Sequence, residues 1–306
     1  MNALSDHPDG TRGSRGFIVV AVLWILAALA ALVLIYLTYV TNTAFTVANA
    51  TARVQSEAAL QGAVELAAYQ LGAVRSEQRP YGGTFTARMG TARLSVDFRT
   101  EAARIDLNAA PRELLAGLMV GLGAAPANAG GYADRIVAWR TSAAAGEDDT
   151  EDLLYRNAGY TYVPRHAPFP AAEELWLVQG IPPQLIERML PVLTVFSNLA
   201  SVNIAEAAPQ VLAALPGMTP EKLQALLQER RDPRTDPSLL AERGGGAASN
   251  MVSKAYRLAL TADFDDGRRS AAEVVILLLE DGDELYRVLS WRDVSDRAPT
   301  QQAGLR

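Results

Sequence analysis

The most prominent feature of the hydrophobic pattern is one long apolar run near the N-terminus. Residues 16–52 contain no charged side chain, and residues 17–40 are mostly apolar. As an α-helix, residues 17–40 would be about 36 Å long, whereas the hydrocarbon core of a bilayer is about 30 Å thick. A helix of a soluble core is expected to show a polar stripe, and none interrupts this run before Thr38. The pattern therefore predicts a transmembrane helix.

The residues that flank the run allow three interpretations. Arg12 and Arg15 precede it and the next charge is Arg53, which places the N-terminus in the cytoplasm and the rest of the chain outside it. A cleaved secretory signal has a shorter apolar region, of roughly 7–15 residues. A plain membrane anchor followed by a stalk fits the length. In the third interpretation, Arg15-Gly16-Phe17 resembles a type IV prepilin leader, which a membrane peptidase would cut between Gly16 and Phe17 before methylating the new N-terminus.

The fifth residue after that cut departs from the pilin pattern. Most type IV pilins and pseudopilins have glutamate there, and this chain has Ala21. A carboxylate in lipid is costly and needs a partner. In the pilin families that partner is the N-terminal amine of the adjacent subunit. A subunit with alanine at this position needs no such pairing if no subunit lies ahead of it in the filament.

Beyond the apolar run, strand-like segments stand on either side of a long middle section. Residues 41–72 are rich in alanine and keep the residue spacing of a helix as far as Gly72. Apolar and polar residues alternate in residues 84–107, with a turn at Gly90, and again in residues 256–260. Residues 274–279 and 285–289 add two apolar segments around a turn. The middle section lacks such alternation and predicts helices.

These patterns predict an α+β fold in which an N-terminal transmembrane pseudopilin helix packs on a small antiparallel sheet. A large all-α insertion domain with helix–hairpin–helix-like repeats would split that sheet in sequence. The predicted divisions are a leader (residues 1–16), a transmembrane helix (17–40) and a periplasmic helix with the first strands (41–110). The insertion (111–247), the C-terminal strands (248–293) and a flexible tail (294–306) follow.

The middle section contains a weak internal repeat. Residues 105–123 and 202–231 both carry Ala-Ala-Pro with a leucine three residues after the proline, Leu114 and Leu212. Helix–hairpin–helix modules often bind DNA, so a membrane-anchored DNA-capture protein is an alternative function. However, residues 111–247 hold 11 basic and 16 acidic residues, a net charge of −5, and the whole chain has a net charge of −6. An acidic surface is a poor polyanion binder, and we expect no nucleic-acid partner.

Taken together, the chain resembles general secretion pathway protein K, the K-type minor pseudopilin of type II secretion systems, over residues 12–293. The resemblance rests on the order of several short motifs rather than on any one of them. They are Arg15-Gly16 ahead of an apolar helix with Ala21, Ile105-Asp106-Leu107-Asn108-Ala109-Ala110-Pro111, Glu151-Asp152 with Tyr155, Glu174-Leu175 with Val178-Gln179-Gly180, Val202-Asn203-Ile204, and Tyr286-Arg287-Val288-Leu289-Ser290-Trp291-Arg292.

The resemblance implies a role in assembly rather than catalysis. It implies a single-pass protein of the bacterial inner membrane, with a cytoplasmic N-terminus and a periplasmic domain. It also implies a position at the tip of the pseudopilus, where the subunit initiates assembly and supports export across the outer membrane. The implied partners are the I-type and J-type minor pseudopilins, other pseudopilins, the inner-membrane assembly platform and the prepilin peptidase.

The sequence offers little chemistry. It has no cysteine, and its two histidines are His7 and His166, so we expect no enzymatic activity. The one candidate is a group of carboxylates whose oxygen atoms suit Ca²⁺, and the resemblance associates the insertion with calcium. Acidic residues that often follow the tryptophan in this family are missing after Trp139, and a solvated acidic loop is the alternative. The candidate ligands are Glu147, Asp148, Asp149, Glu151 and Asp152.

Overall fold

The structure is a computed structural model that describes residues 14–142, 150–232, 235–280 and 282–294. The chain divides into two compact units, residues 1–58 and 59–306. Helix α1, Ser14–Gly72, contributes residues to both units and ends at the predicted glycine. In the first unit, Arg53 and Glu57 form an i,i+4 ion pair one turn apart on this helix.

The second unit is built on five strands, β1 (Gly82–Met89), β2 (Ala92–Thr100), β7 (Ala255–Phe264), β8 (Arg269–Leu278) and β9 (Tyr286–Asp293). They form one antiparallel sheet with the spatial order β1-β2-β7-β8-β9. Most of the predicted alternating segments lie in these strands, so the α+β fold is confirmed; the end of the predicted segment 84–107 lies instead in a 3₁₀ segment, Glu101–Ala103, and a separate short strand, Ile105–Asp106. The insertion separates β2 from β7 in sequence, yet the two strands pair over their length, from Ala92 opposite Phe264 to Thr100 opposite Tyr256.

One face of this sheet forms a core with the C-terminal part of α1. The helix buries small residues at helical spacing, including Ala63, Ala67 and Ala68. Small side chains let a helix approach a sheet closely, so larger residues on the strands fill the space between them. The strand residues in this core are Leu94, Val96, Leu258, Leu260, Val274 and Ile276. The opposite face of the sheet carries mostly polar and charged side chains.

The insertion is mainly helical and has its own core. Its 3₁₀ segments include Glu101–Ala103, Ala172–Leu177 and Leu190–Val192. Buried leucines and aromatic residues from all parts of the insertion form one continuous cluster. Its α-helices are α2 (Arg112–Gly121), α3 (Pro126–Arg140), α4 (Thr150–Asn157), α5 (Pro183–Met189), α6 (Pro209–Ala213), α7 (Pro220–Glu229) and α8 (Pro237–Gly244).

The insertion also contains short strands, so the prediction of an all-α segment over residues 111–247 needs correction. Strand β3 (Ile105–Asp106) pairs in parallel with β4 (Leu193–Thr194). Strand β5 (Val202–Asn203) pairs in parallel with β6 (Ala248–Ser249). A two-residue strand is too short for apolar and polar positions to alternate, and therefore the sequence pattern did not reveal these pairs.

The internal repeat corresponds to the same local structure formed twice. Each copy follows a two-residue strand with a turn in which a side-chain oxygen accepts a backbone N–H, at Asp106 (2.7 Å) and at Asn203 (3.0 Å). In both cases an arginine later in the chain donates to the carbonyl of one of the two alanines that precede the proline. Arg140 donates to Ala110 at 2.7 Å, and Arg230 donates to Ala207 at 2.6 Å.

The two turns that suggested helix–hairpin–helix repeats have glycine in the left-handed region, with φ of 79° at Gly180 and 75° at Gly217. The first turn is preceded by a 3₁₀ segment, Ala172–Leu177, instead of an α-helix. The second turn joins α6, which has five residues, to α7. The helix–hairpin–helix description therefore stays a prediction.

Buried polar contacts hold the two ends of the insertion at one place on the sheet. The Thr100 hydroxyl accepts from the backbone N–H of Ala102 at 3.3 Å and from that of Ser253 at 3.1 Å. Next to it, the fully buried Glu101 accepts from Arg257 of β7, with Oε1 2.7 Å from Nε. The Thr194 hydroxyl, at the end of β4, also donates to Glu101. These contacts, here named the junction, join the sheet to both ends of the insertion.

The packing of α2 on α6 gives the first testable prediction. A methyl group added at Gly117 would overlap the backbone carbonyl oxygen of Ala214. Because backbone atoms cannot rotate away, we expect Gly117→Ala to lower the free energy of unfolding by about 1–3 kcal/mol. Urea unfolding of the full chain in detergent, followed by near-UV circular dichroism, measures this change.

Gly121 provides the matched control for this variant. It lies on the same helix, and no heavy atom of the described residues lies within 4 Å of its added Cβ. Since alanine favours a helix over glycine, Gly121→Ala should leave stability unchanged or raise it by up to about 1 kcal/mol. An unchanged unfolding midpoint for Gly117→Ala would contradict the close contact between α2 and α6.

Candidate functional site

The first candidate site is the apolar part of α1 in the first unit. Val19–Val40 has 22 residues and a mean hydropathy of 2.9, and it is exposed within the described part of the chain. Trp24 is 74% exposed and Ile35 is 69% exposed. The Thr38 hydroxyl near its end is satisfied within the helix, because it donates to the Leu34 carbonyl at 2.8 Å. A surface of this kind is stable in lipid and costly in water.

The predicted processing residues lie at the start of α1. Gly16 and Phe17 are both in the helix, which begins at Ser14, and their side chains lie outside the described residues. Ala21 is partly exposed and brings no charge into the apolar segment. Cleavage after Gly16 stays a prediction, since the helix geometry is the same on both sides of that peptide bond.

The predicted calcium ligands are only partly within the described residues. Glu147, Asp148 and Asp149 lie outside them. Glu151 and Asp152 occupy the first turn of α4, where carboxylates favour the positive end of the helix dipole. In residues 14–142, 150–232, 235–280 and 282–294 no group of three or more His, Asp or Glu side chains could hold a metal ion.

Asp152 already has partners of its own. Its Oδ1 lies 2.9 Å from Nε2 of His166, and its Oδ2 lies 3.4 Å from Arg156. Nδ1 of His166 is 3.2 Å from the Thr141 carbonyl oxygen, and the backbone of His166 has a φ of 53°. Two partners already contact this carboxylate, so the described residues alone fit a calcium site poorly. Sequence reasoning missed His166 because nothing in a proline-rich loop signals a contact with a helix 14 residues away.

An aromatic cluster supports the loop that carries His166. Trp139 packs against Tyr155 and Phe169, with ring centroids 6.0 Å and 6.1 Å away. Its Nε1 donates to Glu174 at 3.0 Å. Arg165, beside His166, also donates to Glu174, at 2.9 Å through Nη2. The position of the loop is therefore fixed from the interior of the insertion.

Tyr155 joins this cluster to the first hairpin-like turn. Its hydroxyl accepts the backbone N–H of Gln179 at 2.8 Å. Burial raises the pKa of Tyr155 to about 12. The hydroxyl is therefore protonated at neutral pH and acts as a structural group in the core of the insertion.

Near this cluster the insertion exposes an apolar surface, named here the apolar patch. Its members come from α4 and from the segments around residues 160 and 177. Tyr160 contacts the ring of Tyr162, whose hydroxyl donates to the Leu177 carbonyl at 3.3 Å. Exposed apolar and aromatic groups on a protein surface often mark contacts with other proteins. The members are Leu153, Leu154, Tyr160, Trp176 and Leu177.

Comparison with known proteins agrees with the sequence motifs. A family model described as type II secretion system (T2SS), protein K, matches residues 95–198. This match covers the second half of β2, the junction residues Thr100 and Glu101, and the insertion as far as β4. The resemblance to protein K is confirmed. No match was found among curated proteins.

A solved structure is similar as well. It is a chain of the crystal structure of the GspK-GspI-GspJ complex from the enterotoxigenic Escherichia coli type 2 secretion system. The TM-score is 0.54 at 17% identity, and the match covers 79% of the present chain and 95% of the other. At this identity the likeness shows the fold alone. The family model and the fold support a minor pseudopilin role, and the apolar helix fits a single-pass inner-membrane protein.

Proposed function

We propose that this chain is the minor pseudopilin at the tip of a type II secretion pseudopilus, where it initiates assembly and supports protein export across the outer membrane. The observation that carries the proposal is the family match to protein K over residues 95–198. The exposed apolar helix Val19–Val40 supplies the membrane segment that a pseudopilin needs before assembly. In this proposal the N-terminus is cytoplasmic and the domain with the sheet is periplasmic.

The position at the tip is supported by Ala21. In a filament of pseudopilins, a carboxylate at the fifth residue of the mature chain would pair with the amine of the subunit ahead. A subunit at the tip has no subunit ahead, so a carboxylate there would stay unpaired in an apolar environment. Such a group costs about 2.5–3.5 kcal/mol on membrane-insertion scales. Alanine at this position avoids that cost.

The insertion also supports the tip position. It occupies residues 101–254, about half of the chain, and emerges between two neighbouring strands of the sheet. A volume of this size next to the sheet would obstruct the stacking of a further subunit beyond it. The junction holds the insertion at a fixed place on the sheet, so this obstruction would be permanent.

The proposed partners are the I-type and J-type minor pseudopilins. The similar solved structure is a complex of GspK with GspI and GspJ, and the present chain shares the fold of its matched chain. Two surfaces are available for such contacts, the apolar patch of the insertion and the exposed edge strands β1 and β9. The assembly platform and the prepilin peptidase complete the proposed set of partners.

A variant at Ala21 tests the tip position. In a strain that lacks the native gene, we expect Ala21→Glu to reduce secretion several-fold, because the added carboxylate has no partner in the membrane. The measurement is the amount of secreted cargo in the medium at equal levels of the membrane-bound chain.

Ala21→Leu is the matched control, because it changes the size of the side chain and adds no charge. We expect it to secrete as the native chain does. Co-purification of the I-type and J-type subunits with the native chain tests the wider proposal. Wild-type secretion by Ala21→Glu would contradict the tip argument, and the absence of both subunits would contradict the minor pseudopilin proposal.

Calcium binding by the acidic segment is a separate proposal. Glu147 and Asp149 are hard oxygen donors of the kind that Ca²⁺ prefers. We expect millimolar CaCl₂ to raise the Tm of the full chain in detergent, since a ligand at 100 times its Kd stabilises the native state by about 2.7 kcal/mol. The double variant Glu147→Gln/Asp149→Asn should lose this response.

Asp283→Asn is the matched control for that titration, because Asp283 is an exposed carboxylate in the turn before β9. It should keep the full response to calcium. MgCl₂ at the same concentration controls for ionic strength. No increase in Tm, or an equal increase with Mg²⁺, would count against a calcium site in this segment.

A further inference from the structure

A cleft of about 390 Å³ lies between the polar face of the sheet and the insertion. Pro191 and Phe196 contribute to its wall on the side of the insertion, and Arg292 and Glu273 contribute from the sheet. Arg104, three residues after the junction residue Glu101, lines this cleft and also a second cleft that shares several of its residues. The cleft is therefore next to the place where the chain passes from the sheet into the insertion.

Two carboxylates, Glu101 and Glu273, are close to the cleft, and Arg257 contacts both. Its Nε lies 2.7 Å from Oε1 of Glu101, and its Nη2 lies 3.2 Å from Oε2. Its Nη1 lies 2.6 Å from Oε1 of Glu273. Burial alone would lower the pKa of Arg257, but these two ion pairs raise it overall. Arg257 is thus a fully compensated cation.

Arg104 is half-buried, as Arg257 is, but neither Glu101 nor Glu273 forms an ion pair with it. Among the described side chains, none forms an ion pair or a hydrogen bond with its guanidinium. Burial, and then the charge of Arg257, lower the pKa of Arg104, and the charges of Glu101 and Glu273 offset this only in part. Arginine nevertheless keeps its proton at any physiological pH. The guanidinium of Arg104 lines the cleft, and its N–H donors are not engaged by any described side chain. A charged donor of this kind forms strong hydrogen bonds with an anionic acceptor.

We propose that this cleft binds a carboxylate through the guanidinium of Arg104. The planar fork of arginine matches the two oxygens of a carboxylate in a bidentate contact. The volume suits a small group, such as one acidic side chain presented by a partner protein or a free organic acid. The cleft also holds an ion pair between Arg292 and Glu173. With Arg104 and Arg257 opposite Glu101 and Glu273, positive and negative charges are equal in number, so the attraction comes from the N–H donors instead of a net positive charge. We therefore expect weak binding of a free carboxylate, with a Kd of roughly millimolar order.

An anion titration of the full chain in detergent tests the site without any partner. Sodium acetate is added in exchange for sodium chloride at constant ionic strength, and thermal unfolding is followed by circular dichroism. At ten times the Kd we expect the folding equilibrium of the native chain to shift about tenfold towards the folded state. Arg104→Met, which keeps the apolar part of the side chain and removes the donors, should lose this shift.

Arg93→Met is the matched control, since Arg93 lies near the start of β2, away from the cleft, and is exposed. It should keep the response to acetate. Arg104→Lys keeps the charge and loses the planar fork, so its response should be smaller than that of the native chain. The Arg104→Lys variant also tests the proposal if Arg104→Met does not fold. An equal response in the native chain, Arg104→Met and Arg104→Lys would overturn the proposal, and so would no response in the native chain.

A second measurement distinguishes the two sources of the carboxylate, and this part rests on the proposed function. The native chain and Arg104→Met are compared for binding to the I-type and J-type subunits. A tenfold weaker binding by Arg104→Met, partly reproduced by adding acetate to the native chain, identifies a carboxylate of a partner. Unchanged partner binding together with an acetate response identifies a free organic acid. Failure of the native chain to bind these subunits would contradict the proposed function and leave the anion titration as the test of the cleft.

Discussion

The organisation of this protein depends on the junction, where both ends of the insertion meet the sheet. Residues 101–254 separate two strands that pair with each other over their whole length. Closing a segment of this length costs conformational entropy, although the cost rises only with the logarithm of its length. The greater difficulty is to fix the insertion in one position. Thr100 and Ser253 do this through a direct hydrogen bond, and Glu101 adds a buried carboxylate that reaches both β7 and β4.

The same contacts explain the properties of the neighbouring cleft. A buried carboxylate is tolerated when its oxygens are satisfied, and Arg257 and Thr194 satisfy those of Glu101. Because Arg257 also forms an ion pair with Glu273, neither of these two carboxylates forms a direct ion pair with Arg104. The constraint that fixes the insertion on the sheet therefore leaves one cation without a partner at the surface of the cleft.

The sequence predicted the parts of the fold that depend on long, regular patterns. The apolar helix, the alternation in β2 and the turn at Gly90 are local signals, and each was readable without the rest of the chain. The two-residue strands β4 and β5 were not, because their pairing depends on residues far away in sequence. The same is true of the junction. Nothing near Glu101 indicates that its partner is Arg257, and nothing near His166 indicates Asp152.

The proposed function rests on local sequence features and on features that only the folded chain shows. The apolar helix and Ala21 are features of the sequence, whereas the place of the insertion on the sheet is a feature of the folded chain. Both agree with a subunit that is stored in the inner membrane and ends a filament. The internal repeat adds a physical reason for the size of the insertion. Two copies of a strand, a turn and a proline-led helix share one core in the insertion.

The most direct test of this account is the mass of the mature N-terminus. The full chain would be produced together with a prepilin peptidase, purified from membranes and analysed by peptide mass spectrometry. The account predicts a chain that begins at Phe17 with a methylated amine. A chain that still carries residues 1–16 would contradict it, because the apolar helix would then be an ordinary membrane anchor.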